Sequence, residues 1–124
     1  MLHIPGLYIT SSDQKGRGVF TSEDLATGEM IELCPILKIP AGQVKQLDST
    51  VIYEYYFLWD EEGFEACLAL GYGSLYNHSP DPNAEILLDY EDQMIKFSSI
   101  KDIEAGTEIT IDYQDGNREL KLWF

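Results

Sequence analysis

Apolar positions along the chain fall in short alternating runs, bounded by glycine, proline and acidic residues. That is the pattern of many short strands rather than of long helices. Leu7–Thr10 and Gly18–Thr21 read as the first two strands, joined by a turn at Lys15-Gly16-Arg17. Glu29–Leu33 and Ile36–Ile39 read as two more, separated at Pro35, which has no N–H to give to a central ladder. Ser49–Trp59 is the one helical segment predicted, against a competing extended reading from its Val, Ile, Tyr and Phe content. Phe64–Leu68 reads as a strand, and Glu85–Leu88 with Met94–Ser98 as a hairpin around the acidic turn Asp89–Gln93. Thr107–Ile111 alternates Ile109 and Ile111 with polar residues, as a half-buried strand does. Asp24-Leu25-Ala26-Thr27-Gly28-Glu29 is echoed by Asp102-Ile103-Glu104-Ala105-Gly106-Thr107, each ahead of an apolar strand. Two copies cannot stack into a solenoid, so the echo reads as one local turn used twice.

A length of 124 residues with 44% hydrophobic and 12% aromatic content predicts one folded domain with a real core. No apolar run reaches the roughly 18 residues that span a bilayer. The N-terminal residues lack the basic-then-apolar order of a signal peptide. Cys34 and Cys67 are far apart among apolar neighbours, which predicts two buried thiols in a reducing compartment and no zinc site of their own. Eight basic against 22 acidic residues leave a formal charge of -14. Such a surface repels phosphates and anionic lipid, excluding direct nucleic acid or membrane binding, and attracts a basic protein segment; solubility alone is the competing reading.

Three segments carry candidate chemistry. Lys15-Gly16-Arg17-Gly18-Val19-Phe20 puts two glycines around one residue, which suits close backbone approach to a ligand or a simple turn. It lacks the Lys-Ser/Thr ending of a phosphate loop. Gly71-Tyr72-Gly73-Ser74-Leu75-Tyr76-Asn77-His78-Ser79-Pro80-Asp81-Pro82-Asn83 is dense in small, aromatic and amide residues and closed by two prolines. Asn77 and Asn83 could be turn residues and His78 a core histidine. No Cys or His stands at ligand spacing from His78 or His3, which disfavours a metal. Gly106-Thr107-Glu108-Ile109-Thr110-Ile111-Asp112-Tyr113 ends in a tyrosine that is either core or a catalytic hydroxyl.

In this order, Gly-x-Gly, then Asn-His-Ser-x-x-Pro-Asn, then Glu-Ile-Thr-Ile-Asp-Tyr, the chain resembles the SET domain of protein lysine methyltransferases from about Leu7 to Phe124. Its length and the run Ala69-Leu70-Gly71-Tyr72-Gly73 look most like the minimal viral and bacterial members. The resemblance implies a mostly β SET fold with few short helices: small curved, β-clip-like sheets and a knot-like threaded C-terminal segment. It implies one SET domain over residues 1–124 without pre-SET or zinc-binding post-SET parts.

By the same resemblance, S-adenosylmethionine is the cofactor, contacted by Gly16, Arg17, Gly18, Asn77, His78, Tyr113 and Trp123. Tyr113 is implied as the catalytic tyrosine. Tyr72, Tyr76, Ile111 and Phe124 are expected along the substrate channel, and one of Tyr53, Tyr55 and Tyr56 at the cofactor. The residue after Asn77-His78-Ser79 is often a zinc-bound cysteine in larger members; here it is Pro80, and no cysteine follows Cys67. The resemblance therefore expects no metal and pocket closure by Trp123 or Phe124. Ile111 stands where members often carry Phe or Tyr, so the number of methyls added is unreadable. The expected substrate is a lysine in a basic, histone-like tail. A homodimer is left open, and the location expected is intracellular, cytoplasmic if bacterial and nuclear if eukaryotic or viral. The alternative is a non-catalytic SET-like module that only binds a basic segment.

Overall fold

The computed structural model describes residues 2–13, 16–60 and 64–112. Among them are nine strands: β1 (Leu7–Ser12), β2 (Gly16–Thr21), β3 (Met30–Ile39), β4 (Phe57–Leu58), β5 (Ala66–Ala69), β6 (Asn77–His78), β7 (Ala84–Asp89), β8 (Met94–Ser99) and β9 (Glu108–Ile111). One α-helix, α1 (Ala41–Leu47), and 3-10 turns at Val51–Glu54 and Gly73–Leu75 complete the elements. The strands form two sheets, ordered β1-β2-β9-β6 and β4-β5-β3-β8-β7. Among the described residues no helix is long and apolar enough to cross a membrane.

The inward positions of both sheets meet in one core. Val19, Ile109 and Ile111 come from the four-stranded sheet, and Ile31, Cys34, Ile86, Ile95 and Phe97 from the five-stranded one. Tyr76 joins them, its ring stacked on Phe97 at 4.3 Å between centroids. A smaller cluster of Ile39, Tyr56, Leu58 and Ala66 lies under α1, which contributes Val44 and Leu47.

Pro35 does not break a strand as the sequence predicts. β3 runs straight through it because the strand changes partner there. Met30–Pro35 pair with β8, and Ile36–Ile39 pair with β5. The missing N–H falls at the handover, while the Pro35 carbonyl still accepts from Leu70 N–H at 2.9 Å.

The predicted helix over Ser49–Trp59 is also corrected. Tyr56, Phe57, Leu58 and Trp59 are four consecutive buried residues. A helix turns 100° per residue and would bring one of them to solvent, whereas a strand covered on both faces hides them all. Thr50 caps a single 3-10 turn by accepting Ile52 N–H at 3.2 Å, and β4 follows. The actual helix, α1, is unpredicted: seven residues whose only apolar pair is Val44 and Leu47 carry little periodic signal. The fifth strand begins at Ala66, not Phe64.

The echoed turns find a structural use. Leu25 and Ile103 exchange backbone hydrogen bonds of 2.8 and 2.9 Å, so the two copies pair with each other. Asp102 Oδ1 accepts Thr27 N–H at 2.9 Å, and Asp24 Oδ1 accepts Ala105 N–H at 2.8 Å. Gly28 and Gly106 close the copies at φ 88° and 87°, where a side chain would strain the backbone. This reciprocal clasp fixes the chain just before β3 and just before β9.

Candidate active site

β6 is only two residues long, and its position is set by its neighbours. It lies parallel to β9, with Asn77 opposite Thr110 and His78 opposite Ile111. Ser79 N–H continues the pairing by donating to the Ile111 carbonyl at 2.9 Å. Pro80 and Pro82 prevent the chain from carrying this ladder further, and Asn83 takes over. Its Oδ1 accepts Thr110 N–H at 2.8 Å and its Nδ2 donates to the Glu108 carbonyl at 2.9 Å. The Asn77–Asn83 motif is thus a clamp around β9, and Asn83 is a structural residue that the sequence leaves among turn formers.

On the other side of β9, β2 pairs antiparallel through Val19 and Ile109. This brings the Gly-x-Gly segment against Asn77: Asn77 Nδ2 donates to the Arg17 carbonyl at 3.2 Å and to Glu108 Oε2 at 2.7 Å. Glu108 Oε1 accepts the Ser12 hydroxyl at 2.9 Å. The second glycine is what makes room. A Cβ at Gly18 would overlap Glu108 Oε2 and stand 2.8 Å from Asn77 Nδ2. Gly16 begins β2 at φ 73° with open space around its absent side chain. Three segments distant in sequence therefore converge on one polar cluster of a backbone carbonyl, an amide and a carboxylate.

His78 Nδ1 stands 3.7 Å from Asp112 Oδ1, with both side chains part-exposed. Asp112 is the residue before Tyr113 in the chain. Tyr113, Trp123 and Phe124 lie outside the described residues.

Of the residues expected along a channel, Tyr76 and Ile111 are 1% and 0% exposed and belong to the main core. Glu32, itself buried, holds this turn from within: its Oε1 accepts the Tyr76 hydroxyl at 2.8 Å and its Oε2 accepts Tyr72 N–H at 2.9 Å. Burial, followed by the Glu32 charge, pushes the Tyr76 hydroxyl far above its ordinary value near 10 and the Cys34 thiol above its ordinary 9. Tyr72 is half-buried and stacks on His3, centroids 5.6 Å apart. Glu32 thereby ties the Gly71–Tyr76 turn, and so the start of β6, to the core strand β3.

Tyr53 and Tyr56 belong to the smaller cluster under α1, away from the elements that carry Gly18 and Asn77, and the Tyr56 hydroxyl donates to Asp48 at 2.8 Å. Tyr55 is exposed. A cleft at the paired turns, lined by Asp24, Glu29, Asp102 and Glu104 beside Leu25 and Ile103, contains none of the predicted site residues. Among the described residues no group of three His, Cys, Asp or Glu could hold a metal.

The SET-domain family profile matches residues 16–114. This chain belongs to the SET-domain protein-lysine methyltransferases. A Schizosaccharomyces pombe histone-lysine N-methyltransferase, specific for H3 lysine-37, is 34% identical over 95% of this chain and 76% of its own length. A solved Plasmodium falciparum structure carrying a histone methyltransferase assignment is 29% identical, covering 87% of this chain and 96% of that one with a TM-score of 0.70. A chain of Chaetomium thermophilum Polycomb Repressive Complex 2, solved with S-adenosylmethionine bound, shares the fold at a TM-score of 0.76. It is 23% identical, covering 90% of this chain and 15% of that one.

The SET methyltransferases use S-adenosylmethionine, and the cluster around Asn77 suits such a ligand. Glu108 and the Asn77 amide oxygen offer a carboxylate and an acceptor, the partners an ammonium or sulfonium asks for. The sequence missed Glu108 and Ser12. One signal was available: a carboxylate inside the Ile-rich strand Thr107–Ile111 needs a partner.

Proposed function

We propose that this protein transfers methyl groups from S-adenosylmethionine to the side-chain amine of lysine in a basic, histone-like protein tail. The observation that carries the reading is the convergence of Gly16–Gly18, Asn77-His78 and the Ile111-Asp112 end of β9, which lie in three different parts of the sequence. In this reading Gly16, Arg17 and Gly18 lend backbone to the cofactor, and Asn77 and His78 contact its adenine and methionine parts through backbone and amide. Tyr113 is the catalytic tyrosine at the transfer centre. Trp123 is the candidate to close the cofactor pocket, and Phe124 is the second candidate.

The bound cofactor supplies an electrophilic methyl on a sulfonium. The chain's task is to deliver a neutral amine in line with that methyl, and positioning supplies much of the rate. Lysine has a reference pKa of about 10.4, so near pH 7.4 roughly one in a thousand is neutral, a penalty of about 4 kcal/mol. A dry aromatic channel favours the neutral form by disfavouring charge. The Tyr113 hydroxyl need only hold the amine in place, without acting as a strong base. An overall charge of -14 supports a basic substrate, since opposite charge raises encounter rates.

Titration with S-adenosylmethionine by calorimetry tests the reading. Saturable binding at one site per chain is expected; absence of binding at millimolar cofactor would contradict it and favour a module that only captures basic segments.

A further inference from the structure

Glu108 is a charged residue in a strand whose neighbours Ile109 and Ile111 are fully buried, and the transfer chemistry above does not use it. Its carboxylate reaches across to β1, where Ser12 Oγ donates to Oε1 at 2.9 Å, and to β6, where Asn77 Nδ2 donates to Oε2 at 2.7 Å. Gly18 is kept bare by this contact, because a Cβ there would occupy the space of Glu108 Oε2.

We propose that Glu108 is a positioning residue that orients the Asn77 amide with its oxygen toward the α-ammonium of the cofactor and sets one negative charge behind it. The proposal rests on the reading of Asn77 as a cofactor ligand. Nδ2 faces two acceptors, Glu108 Oε2 and the Arg17 carbonyl, so the amide has one chemically acceptable orientation. Turned over, Oδ1 would oppose both oxygens and two hydrogen bonds would become repulsions. Oδ1 is left as an acceptor, which suits an ammonium and repels a carboxylate. Among the described residues it takes no hydrogen bond. The Glu108 charge adds attraction for any cation held in front of the amide, and Ser12 fixes the carboxylate from the far side.

Two ligands separate orientation of the amide from general damage to the pocket. S-adenosylmethionine carries the ammonium; 5′-deoxy-5′-methylthioadenosine shares the nucleoside and the sulfur but lacks the amino-acid part. With Glu108→Gln, which keeps the side-chain shape, S-adenosylmethionine affinity is expected to fall about tenfold, the scale of one charge-assisted hydrogen bond. Affinity for methylthioadenosine is expected to change less than about twofold. Ser12→Ala, at the surface end of β1, loosens the same carboxylate and keeps the test open should Glu108→Gln fold poorly. It is expected to give a smaller loss, about threefold, again confined to S-adenosylmethionine. In steady state the loss should appear in KM for the cofactor, with kcat within about threefold. Equal losses for both ligands, or none in either variant, would overturn the positioning role. A wild-type chain that binds neither ligand would overturn the proposed function itself and the inference with it.

Discussion

Gly18→Ala isolates the point at which sequence, fold and cofactor site meet. Gly18 lies inside β2 opposite Thr10, outside the positive-φ conformations that a side chain resists. The backbone therefore tolerates alanine, and reduced unfolded-state freedom even favours it by roughly 0.4–1 kcal/mol. Sterics act against it: the new methyl would overlap Glu108 Oε2 and press on Asn77 Nδ2 at 2.8 Å. The carboxylate is the flexible end of a long side chain, so it swings away and gives up its 2.7 Å bond to Asn77. A hydrogen bond to a charged group is worth about 1.5–3 kcal/mol. Because the strand itself is undisturbed, the melting temperature should stay within a few degrees of wild type. Cofactor affinity measured by calorimetry should fall by roughly 10–150-fold if the loss reaches the ligand in full. In a Glu108→Ala background the methyl has room, so the same substitution should cost little, and the double-mutant cycle should return a coupling of about 1.5 kcal/mol or more. Affinity within about twofold of wild type, or additive effects in the cycle, would refute the reasoning.

Four further outcomes follow from the structure and the sequence. Tyr76→Phe removes a buried donor from Glu32 and should cost about 2 kcal/mol, lowering Tm on the order of 10 °C in a thermal melt. The Tyr76 hydroxyl is held neutral in the folded protein and ionises near 10 once unfolded, so its contribution is complete below that pH and is lost progressively as pH rises from there toward the raised folded-state value. Wild type should therefore lose stability steeply above pH 10, and Tyr76→Phe less so; parallel curves would contradict the buried assignment. Association with a basic peptide, followed by stopped flow, should slow as salt rises, because exposed charges are screened beyond about 8–10 Å at physiological ionic strength. A salt-independent rate would leave the charge of -14 a matter of solubility. Tyr113→Phe should lower kcat by about 100-fold or more while leaving cofactor affinity nearly intact; full turnover would remove Tyr113 from the transfer centre.

The fold was legible in the sequence wherever an element had a regular face. The hairpin of β7 and β8, the Ile109/Ile111 alternation of β9 and the strands β1 and β2 follow from period-2 patterning, although β2 starts at Gly16 and so takes in glycines that read as a turn. Pro35 misled because local chemistry cannot reveal a strand that changes partners, and Tyr56–Trp59 misled because burial on both faces erases periodicity. The motifs named Gly18 and Asn77 but not the group between them. Glu108 becomes meaningful only when parallel pairing of β6 with β9 brings residues 31 apart into contact. The echo of Asp24–Glu29 in Asp102–Thr107 was readable as sequence, yet its use, one copy clasping the other, is a property of three dimensions alone.

Methyl transfer itself tests the central claim most directly. Incubating the protein with isotopically labelled S-adenosylmethionine and basic proteins, including histones, followed by peptide mass spectrometry, reports activity, target and methyl number together. The expected result is labelled methyl on lysine side chains of a basic segment, abolished or strongly reduced by Tyr113→Phe. Saturable cofactor binding without label on any lysine, or label undiminished in the variant, would contradict it.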